Sequence, residues 1–167
     1  MRLLTHILCA EQHGFVHGRS TCTNLLESKG WTQNIQDRCT GRTIIIYVDF
    51  SKAFDVVQHD KLFVKLQAYG IDGTLLEWIM DLLTNPTFQT RINDLLSAVS
   101  NLLSGIIQGS VIGPLMFLIY INHLIELLNN YKIPVNLFAY HVKLYVKMVN
   151  TADAVELQNM LSALVLF

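Results

Sequence analysis

The stretch TIIIYVDFSKAFD, residues Thr43 to Asp55, begins with a β-branched apolar run that stops abruptly at a carboxylate. All of its residues from Thr43 to Val48 are apolar or β-branched, a pattern typical of a strand buried on both faces in the middle of a sheet. The run stops at Asp49, and a carboxylate at the carboxyl end of a central strand is a common position for metal and ligand binding. Aspartate is also common where a strand simply ends in a turn, so both interpretations stay open at this point.

Helical patterns follow this strand. One helix is expected to begin at Asp60 and to close at Gly70, a residue suited to the position after a helix. Thr74 and Glu77 have capping-box spacing and open a second helix. The alternation of residues 88–92 then predicts a strand.

The segment SGIIQGSVIGP, Ser104 to Pro114, is rich in glycine and precedes a predicted helix that runs from about Pro114 to about Asn129. A glycine-rich turn into a helix N-terminus presents backbone N–H groups that suit a phosphate or another anion. A plain turn is the commoner explanation of such glycines. Without a lysine in the loop, the segment is not a Walker A motif.

A hairpin and a final helix are predicted next. Residues Pro134 to Ala139 form one strand, and residues 142–148 alternate with period two and form the other. Ala139, Tyr140 and His141 make the turn between them. Asn150 or Thr151 is expected to cap the last helix.

The region before Thr43 contains weaker sequence patterns. Residues 2–10 suggest part of an amphipathic helix, residues 22–27 a helix, and the polar residues 30–41 a connector. Arg19 lies beside Gly18 in a loop and could reach a phosphate, although such an arginine is more often merely solvated.

Composition sets further limits. Of the 167 residues, 51 % are hydrophobic and only 15 % charged, against about 25 % charged in an ordinary soluble domain. We therefore expect a chain that buries surface against something else or is a piece of something larger. The net charge of −1 gives no basic footprint for nucleic acid. The three cysteines form no disulfide framework, so the sequence predicts an intracellular, reducing compartment and leaves open whether it is the nucleus or the cytoplasm. No apolar segment is long enough to cross a membrane.

Four ordered motifs resemble the reverse transcriptase domain of non-LTR, LINE-type retrotransposons. The resemblance rests on QHGF-x-x-GRST (12–21), VDFSKAFD (48–55), GI-x-QGSVIGPL-x-FLIYIN (105–122) and LFA-x-x-x-KLYV (137–146). It implies an α+β fold, a fingers and palm fragment with an antiparallel palm sheet packed on helices. Residues 1–42 would be a fingers remnant and residues 43–167 the palm with inserted helices, a single partial domain in which the thumb is expected to be absent.

The resemblance also implies a chemistry. Such palms transfer nucleotides with two Mg²⁺ ions held by carboxylates, on an RNA template and a DNA primer. Asp49 matches the first metal carboxylate, and the backbone carbonyl of Phe50 its neighbouring ligand. The other matches are Phe54 to the residue that screens out a ribose 2′-hydroxyl, Gln108 and Gly109 to the nucleotide and template pocket, Arg19 to a fingers arginine and Asp55 to a structural hydrogen-bonding position.

The hairpin turn departs from the family pattern. Where the family has Phe or Tyr, Ala, Asp, Asp, this chain has Phe138, Ala139, Tyr140 and His141, so both carboxylates are missing. Two Mg²⁺ ions about 4 Å apart need anionic oxygens to neutralise them, so we expect weak metal binding or none and no catalysis. The alternatives are a weakly active polymerase in which another carboxylate substitutes, and a domesticated nucleic-acid-binding module. A new site for a softer ion at Asp49 and His141 would need a third ligand.

Overall fold

The structure is a computed structural model that describes residues 7–37, 42–84 and 86–166. The chain divides into two compact units. The first unit combines Met1–Ser51 with Ile121–Phe167, and the second is Lys52–Tyr120.

Helices and strands are mixed along the chain, as expected for an α+β protein. In chain order they are α1 (Thr21–Asp37), β1 (Arg42–Asp49), α2 (His59–Ala68), α3 (Gly73–Thr84), β2 (Thr87–Phe88), β3 (Arg91–Ile92), β4 (Leu95–Leu96), β5 (Ser100–Asn101), α4 (Gly113–Ile121), α5 (His123–Asn129), β6 (Val135–Phe138), β7 (His141–Met148) and α6 (Thr151–Leu166).

The first unit is built on an antiparallel sheet with the strand order β1-β7-β6. The prediction that β1 lies in the middle of a sheet is wrong: among the described strands β1 is at one edge, and Tyr47 is 71 % exposed. The central strand is β7, where Leu144 and Tyr145 are at most 2 % exposed. A run of β-branched residues favours a strand in either position, because its burial depends on neighbours that the run does not specify.

Three predictions for the first unit need correction. The connector expected over residues 30–41 is helical as far as Asp37, because one glycine in an otherwise polar helical stretch costs only about 1 kcal/mol. The helix expected over residues 2–10 is a set of turns and bends over residues 7–10, and its remainder lies outside the described residues. Residues 38–41 lie outside them as well.

The long helix expected from Pro114 to Asn129 is divided at Asn122 into α4 and α5. The side chain of Asn122 is 8 % exposed and holds the N-terminal segment: its Oδ1 accepts from the Cys9 N–H at 2.9 Å and its Nδ2 donates to the Ile7 carbonyl at 3.1 Å. Burial in this region, with a smaller contribution from Glu11, raises the pKa of the Cys9 thiol to about 11. The thiol is therefore protonated at neutral pH.

The cap of the last helix is confirmed at Asn150. Its Oδ1 accepts from the Ala152 and Asp153 N–H groups at 2.8 and 3.1 Å. Asp153 reciprocates, because its Oδ2 accepts from the Val149 and Asn150 N–H groups, and these bonds lower the pKa of its carboxyl group. The stabilisation that the carboxylate adds is therefore complete above the ordinary pKa of 3.8 and is lost as the pH falls through the lowered value.

The second unit contains α2 and α3, whose predicted positions are confirmed, and two small ladders, β2 with β5 and β3 with β4. The single strand predicted over residues 88–92 is two short strands, because β2 pairs with β5 while β3 pairs with β4. Among the described residues, no helix has the length and apolar character that a membrane crossing requires.

Candidate catalytic hairpin and nucleotide-binding residues

The hairpin of β6 and β7 presents the two positions at which the expected carboxylates are replaced. Phe138 pairs with His141, so Ala139 and Tyr140 form a two-residue turn, and Ala139 has a left-handed φ of +55°. In the ladder between β1 and β7, Asp49 pairs with His141. The structure therefore brings together Asp49, Tyr140 and His141, as their places in the motifs predict.

The side chains of Asp49 and His141 contact each other directly. The Oδ1 of Asp49 lies 3.3 Å from the Nδ1 of His141, and the two side chains are 69 % and 51 % exposed. The ring of Tyr140 packs against the imidazole with a centroid separation of 4.3 Å. An imidazole thus lies opposite Asp49, with the ring of Tyr140 against it. An exposed pair such as Asp49 and His141 contributes at most about 1 kcal/mol to stability.

These residues do not fit a pair of Mg²⁺ ions. Mg²⁺ requires oxygen ligands in octahedral geometry, and Asp49 supplies the one carboxylate of this group. Among the described residues, no cluster of three or more His, Cys, Asp or Glu side chains is arranged to hold a metal ion. The third ligand that a softer ion at Asp49 and His141 would need is therefore missing from the described part of the chain.

Arg19 is engaged by the backbone of its own segment. Its Nη1 donates to the Gln12 carbonyl at 2.8 Å and to the Ala10 carbonyl. These bonds hold the turn between residues 10 and 19. The predicted contact of Arg19 with a phosphate stays a prediction.

In the second unit, Gln108 and Asp55 are brought together. The Nε2 of Gln108 donates to the Oδ1 of Asp55 at 3.0 Å, and the Asp55 carbonyl accepts from the Ser104 hydroxyl at 2.9 Å. A Cβ on Gly105 would lie 2.8 Å from that same carbonyl, which explains a glycine there. The structure thus gives Asp55 the hydrogen-bonding contacts that its expected structural role requires.

The other predicted nucleotide-binding residues have separate surroundings. Phe54 stacks on Phe117 with ring centroids 4.4 Å apart. Gly109 has a φ of +85°, a conformation that favours glycine at this turn. Phe50 is half-buried directly after Asp49. Gln108 also lines a cleft of about 550 Å³ together with residues 101–107 and the residues Asp55, Pro86, Thr87 and Phe88.

A layer of polar side chains between α1 and the sheet was not foreseen from the sequence. His13, 3 % exposed, lies 2.9 Å from the Thr23 hydroxyl and 3.0 Å from the Glu27 carboxylate. Asn136, fully buried in β6, donates to the same carboxylate at 3.1 Å and accepts from Asn24. The polar Asn136 within the apolar strand VNLF is the signal that predicts such a buried network.

Lys143 extends this layer from β7. Its Nζ lies 3.1 Å from the Oδ1 of Asn24 and 3.4 Å from the Ser28 hydroxyl. These contacts direct the lysine of the KLYV motif toward α1. The motif residues in this layer thus hold α1 against the sheet that carries the hairpin.

Comparison with known proteins identifies the family of this chain. The family described as reverse transcriptase (RNA-dependent DNA polymerase) matches residues 1–164. A retrovirus-related Pol polyprotein from the type-1 retrotransposable element R2 of Popillia japonica is 28 % identical over 94 residues. That match covers 56 % of this chain and 16 % of the relative, so the chain spans a small part of that relative's length. The chain therefore belongs to the reverse transcriptase family, and its similarity is to the reverse transcriptase domain of a non-LTR element.

Proposed function

We propose that this chain is a catalytically inactive remnant of a LINE-type reverse transcriptase that retains fingers and palm architecture. The observation that carries the proposal is the pairing of Asp49 with His141 in the ladder of β1 and β7. In the family, carboxylates occupy the positions of Tyr140 and His141. The sheet is retained, and the anionic groups that would neutralise two metal ions are not.

The electrostatic consequence is large. Two divalent cations about 4 Å apart repel each other strongly, and three carboxylates offset that repulsion where one does not. His141 in its protonated form adds a positive charge 3.3 Å from the remaining carboxylate. We therefore derive no catalytic step for this chain.

Each replacement is a single first-position base change from an aspartate codon, as in an unselected copy.

The remaining roles in the proposal follow the family. Phe54 screens out a ribose 2′-hydroxyl, Gln108 and Gly109 line the pocket for the nucleotide and template, and Arg19 serves the fingers. The carbonyl of Phe50 stands where a metal ligand stands in the family. Residues 1–42 are the fingers remnant and 43–167 the palm, and the protein is intracellular. Mg²⁺, the RNA template and the DNA primer are the ancestral cofactor and partners.

Primer extension tests this proposal. The purified chain, given an RNA template, a DNA primer, the four deoxynucleoside triphosphates and Mg²⁺, is expected to add no nucleotides, because Asp49 alone cannot hold the metal pair. An Asp49→Ala variant is expected to give the same blank result. Extension that requires Mg²⁺ and disappears in Asp49→Ala would contradict the proposal and support a weakly active polymerase.

Binding of nucleic acid without extension distinguishes the remaining alternative. A domesticated binding module would hold a primer–template with an affinity that falls steeply with salt, because phosphate contacts release counterions. A chain with a net charge of −1 is expected to bind weakly. Tight, salt-sensitive binding would favour the module over the remnant.

A further inference from the structure

The turn that carries the replaced positions is held by a segment from the start of the chain. Residues 11–13 run alongside β6: the Leu137 N–H donates to the Glu11 carbonyl at 2.9 Å, and the His13 N–H donates to the Leu137 carbonyl at 2.9 Å. Gln12 and Leu137 form a parallel bridge. The segment therefore extends the hydrogen bonding of the sheet on the side of β6.

The side chain of Gln12 forms hydrogen bonds with both backbone polar groups of Ala139. Its Oε1 accepts from the Ala139 N–H at 2.8 Å, and its Nε2 donates to the Ala139 carbonyl at 3.2 Å. The same Oε1 accepts from the Gly14 N–H at 2.8 Å. Gln12 is 2 % exposed and Ala139 is 3 % exposed, so water does not replace these bonds.

The conformation of Ala139 explains why such a contact matters. Its φ of +55° is one that a residue with a Cβ adopts reluctantly, and a two-residue turn leaves the strands little freedom to absorb a change. A turn with this geometry is held by surrounding bonds that over-determine it. Gln12 supplies those bonds from 127 residues away in the sequence.

We propose that Gln12 is a positioning residue that fixes the turn at Ala139 and thereby sets where the side chains at positions 140 and 141 lie opposite Asp49. Gln12 touches no reacting group. It acts through the backbone of the turn. The inference rests on the proposed function only where it concerns metal binding at those positions.

Hydrogen exchange of the metal-free protein tests whether the Gln12 side chain holds the turn at Ala139. In Gln12→Met, which has a similar volume and no amide, the Ala139 N–H is expected to exchange at least about tenfold faster because its acceptor is gone. The amides of Leu144 and Val146 in β7 are expected to keep their rates. An unchanged rate at Ala139, or an equal acceleration across β7, would overturn the proposal.

Two further variants keep the test decisive. Gln12→Glu, measured at a pH low enough to keep the new carboxyl group protonated, retains an oxygen acceptor for the Ala139 N–H and a donor for the Ala139 carbonyl. Slow exchange at Ala139 is therefore expected to return in part even if Gln12→Met is too unstable to measure. Gln89→Met removes an exposed glutamine amide that donates to the Ser97 carbonyl in the second unit, and it is expected to leave Ala139 unchanged. Fast exchange at Ala139 in Gln12→Glu equal to that of the methionine variant would contradict the role of the acceptor.

A measurement of Mn²⁺ affinity distinguishes a positioning role of Gln12 from a contribution to the stability of the fold alone. In a chain that also carries Tyr140→Asp and His141→Asp, adding Gln12→Met is expected to weaken Mn²⁺ binding at least about fivefold at a temperature where both proteins are folded. Equal affinities would contradict the positioning role. If Tyr140→Asp with His141→Asp gains no Mn²⁺ affinity by itself, the assignment of these two positions to lost metal ligands fails, while the hydrogen-exchange test of Gln12 still stands.

Discussion

The double substitution Tyr140→Asp with His141→Asp is expected to raise the affinity of the hairpin for Mn²⁺ or Mg²⁺ at least about tenfold, which corresponds to about 1.4 kcal/mol. The pairing with β1 places position 141 opposite Asp49, and position 140 precedes it in the turn, so the substitutions add two carboxylates next to the existing one in this hairpin. The change also removes the contact of the His141 imidazole with the Asp49 carboxylate. Hard oxygen ligands then replace groups that Mg²⁺ disfavours.

Thermal unfolding and a Mn²⁺ titration measure this gain together. Without metal, the three neighbouring carboxylates repel one another, and the double variant is expected to melt below the unmodified protein. Added Mn²⁺ is expected to reverse the loss, because an ion that binds only the folded state stabilises it. Adding Asp49→Ala should remove the effect.

A charge-matched control isolates the geometry. Gln158→Glu with Asn159→Asp adds the same charge at two exposed positions of α6, and Mn²⁺ is not expected to stabilise it. Equal stabilisation of both double variants would mean that Mn²⁺ responds to net charge and not to the hairpin.

The substitution Gly14→Ala is expected to lower the free energy of unfolding by about 3 kcal/mol. A Cβ at Gly14 would lie 2.3 Å from the backbone nitrogen of Ala139, a backbone atom that cannot rotate away. Relief requires the segment of Gln12 to move off the turn, which breaks the bonds of the Gln12 amide with Ala139. Urea unfolding followed by circular dichroism measures the change.

Gly30→Ala is the matched control for this prediction. Gly30 lies inside α1, and a Cβ there would meet nothing within 4 Å. Alanine favours a helix over glycine by about 1 kcal/mol, so this variant is expected to be as stable as the original or more so. A Gly14→Ala variant that unfolds at the same urea concentration as the unmodified chain would show that the turn does not pack on Gly14 as described.

Local patterns predicted the parts of this fold that depend on neighbours in sequence. The β-branched run before Asp49 predicted β1, and the period-two alternation predicted β7. The polar residues Asn150 and Thr151 predicted the cap of α6. Each signal is contained within a few residues, so the physical cause and the pattern lie in the same segment.

Other features depend on partners far away in the chain. In the described sheet β1 pairs only with β7, which lies about 90 residues later in the chain, and β1 is therefore at the edge. Nothing in TIIIYVD specifies that position. Arg19 and Gln12 belong to one motif, yet their contacts with the Ala10 carbonyl and with Ala139 follow from the folded backbone. The position of residues 140 and 141 at the end of a hairpin could be predicted from the sequence, because the register of a short hairpin is set by its turn.

A Mn²⁺ titration of the unmodified chain, with free Mn²⁺ followed by electron paramagnetic resonance, tests directly whether the hairpin can hold metal ions. A hairpin with Asp49 as its carboxylate is predicted to show no saturable binding up to about 1 mM Mn²⁺, the range in which binding is worth only about 4 kcal/mol. Saturable binding of two ions below that concentration, lost in Asp49→Ala, would show a working metal site and contradict the proposal of an inactive remnant.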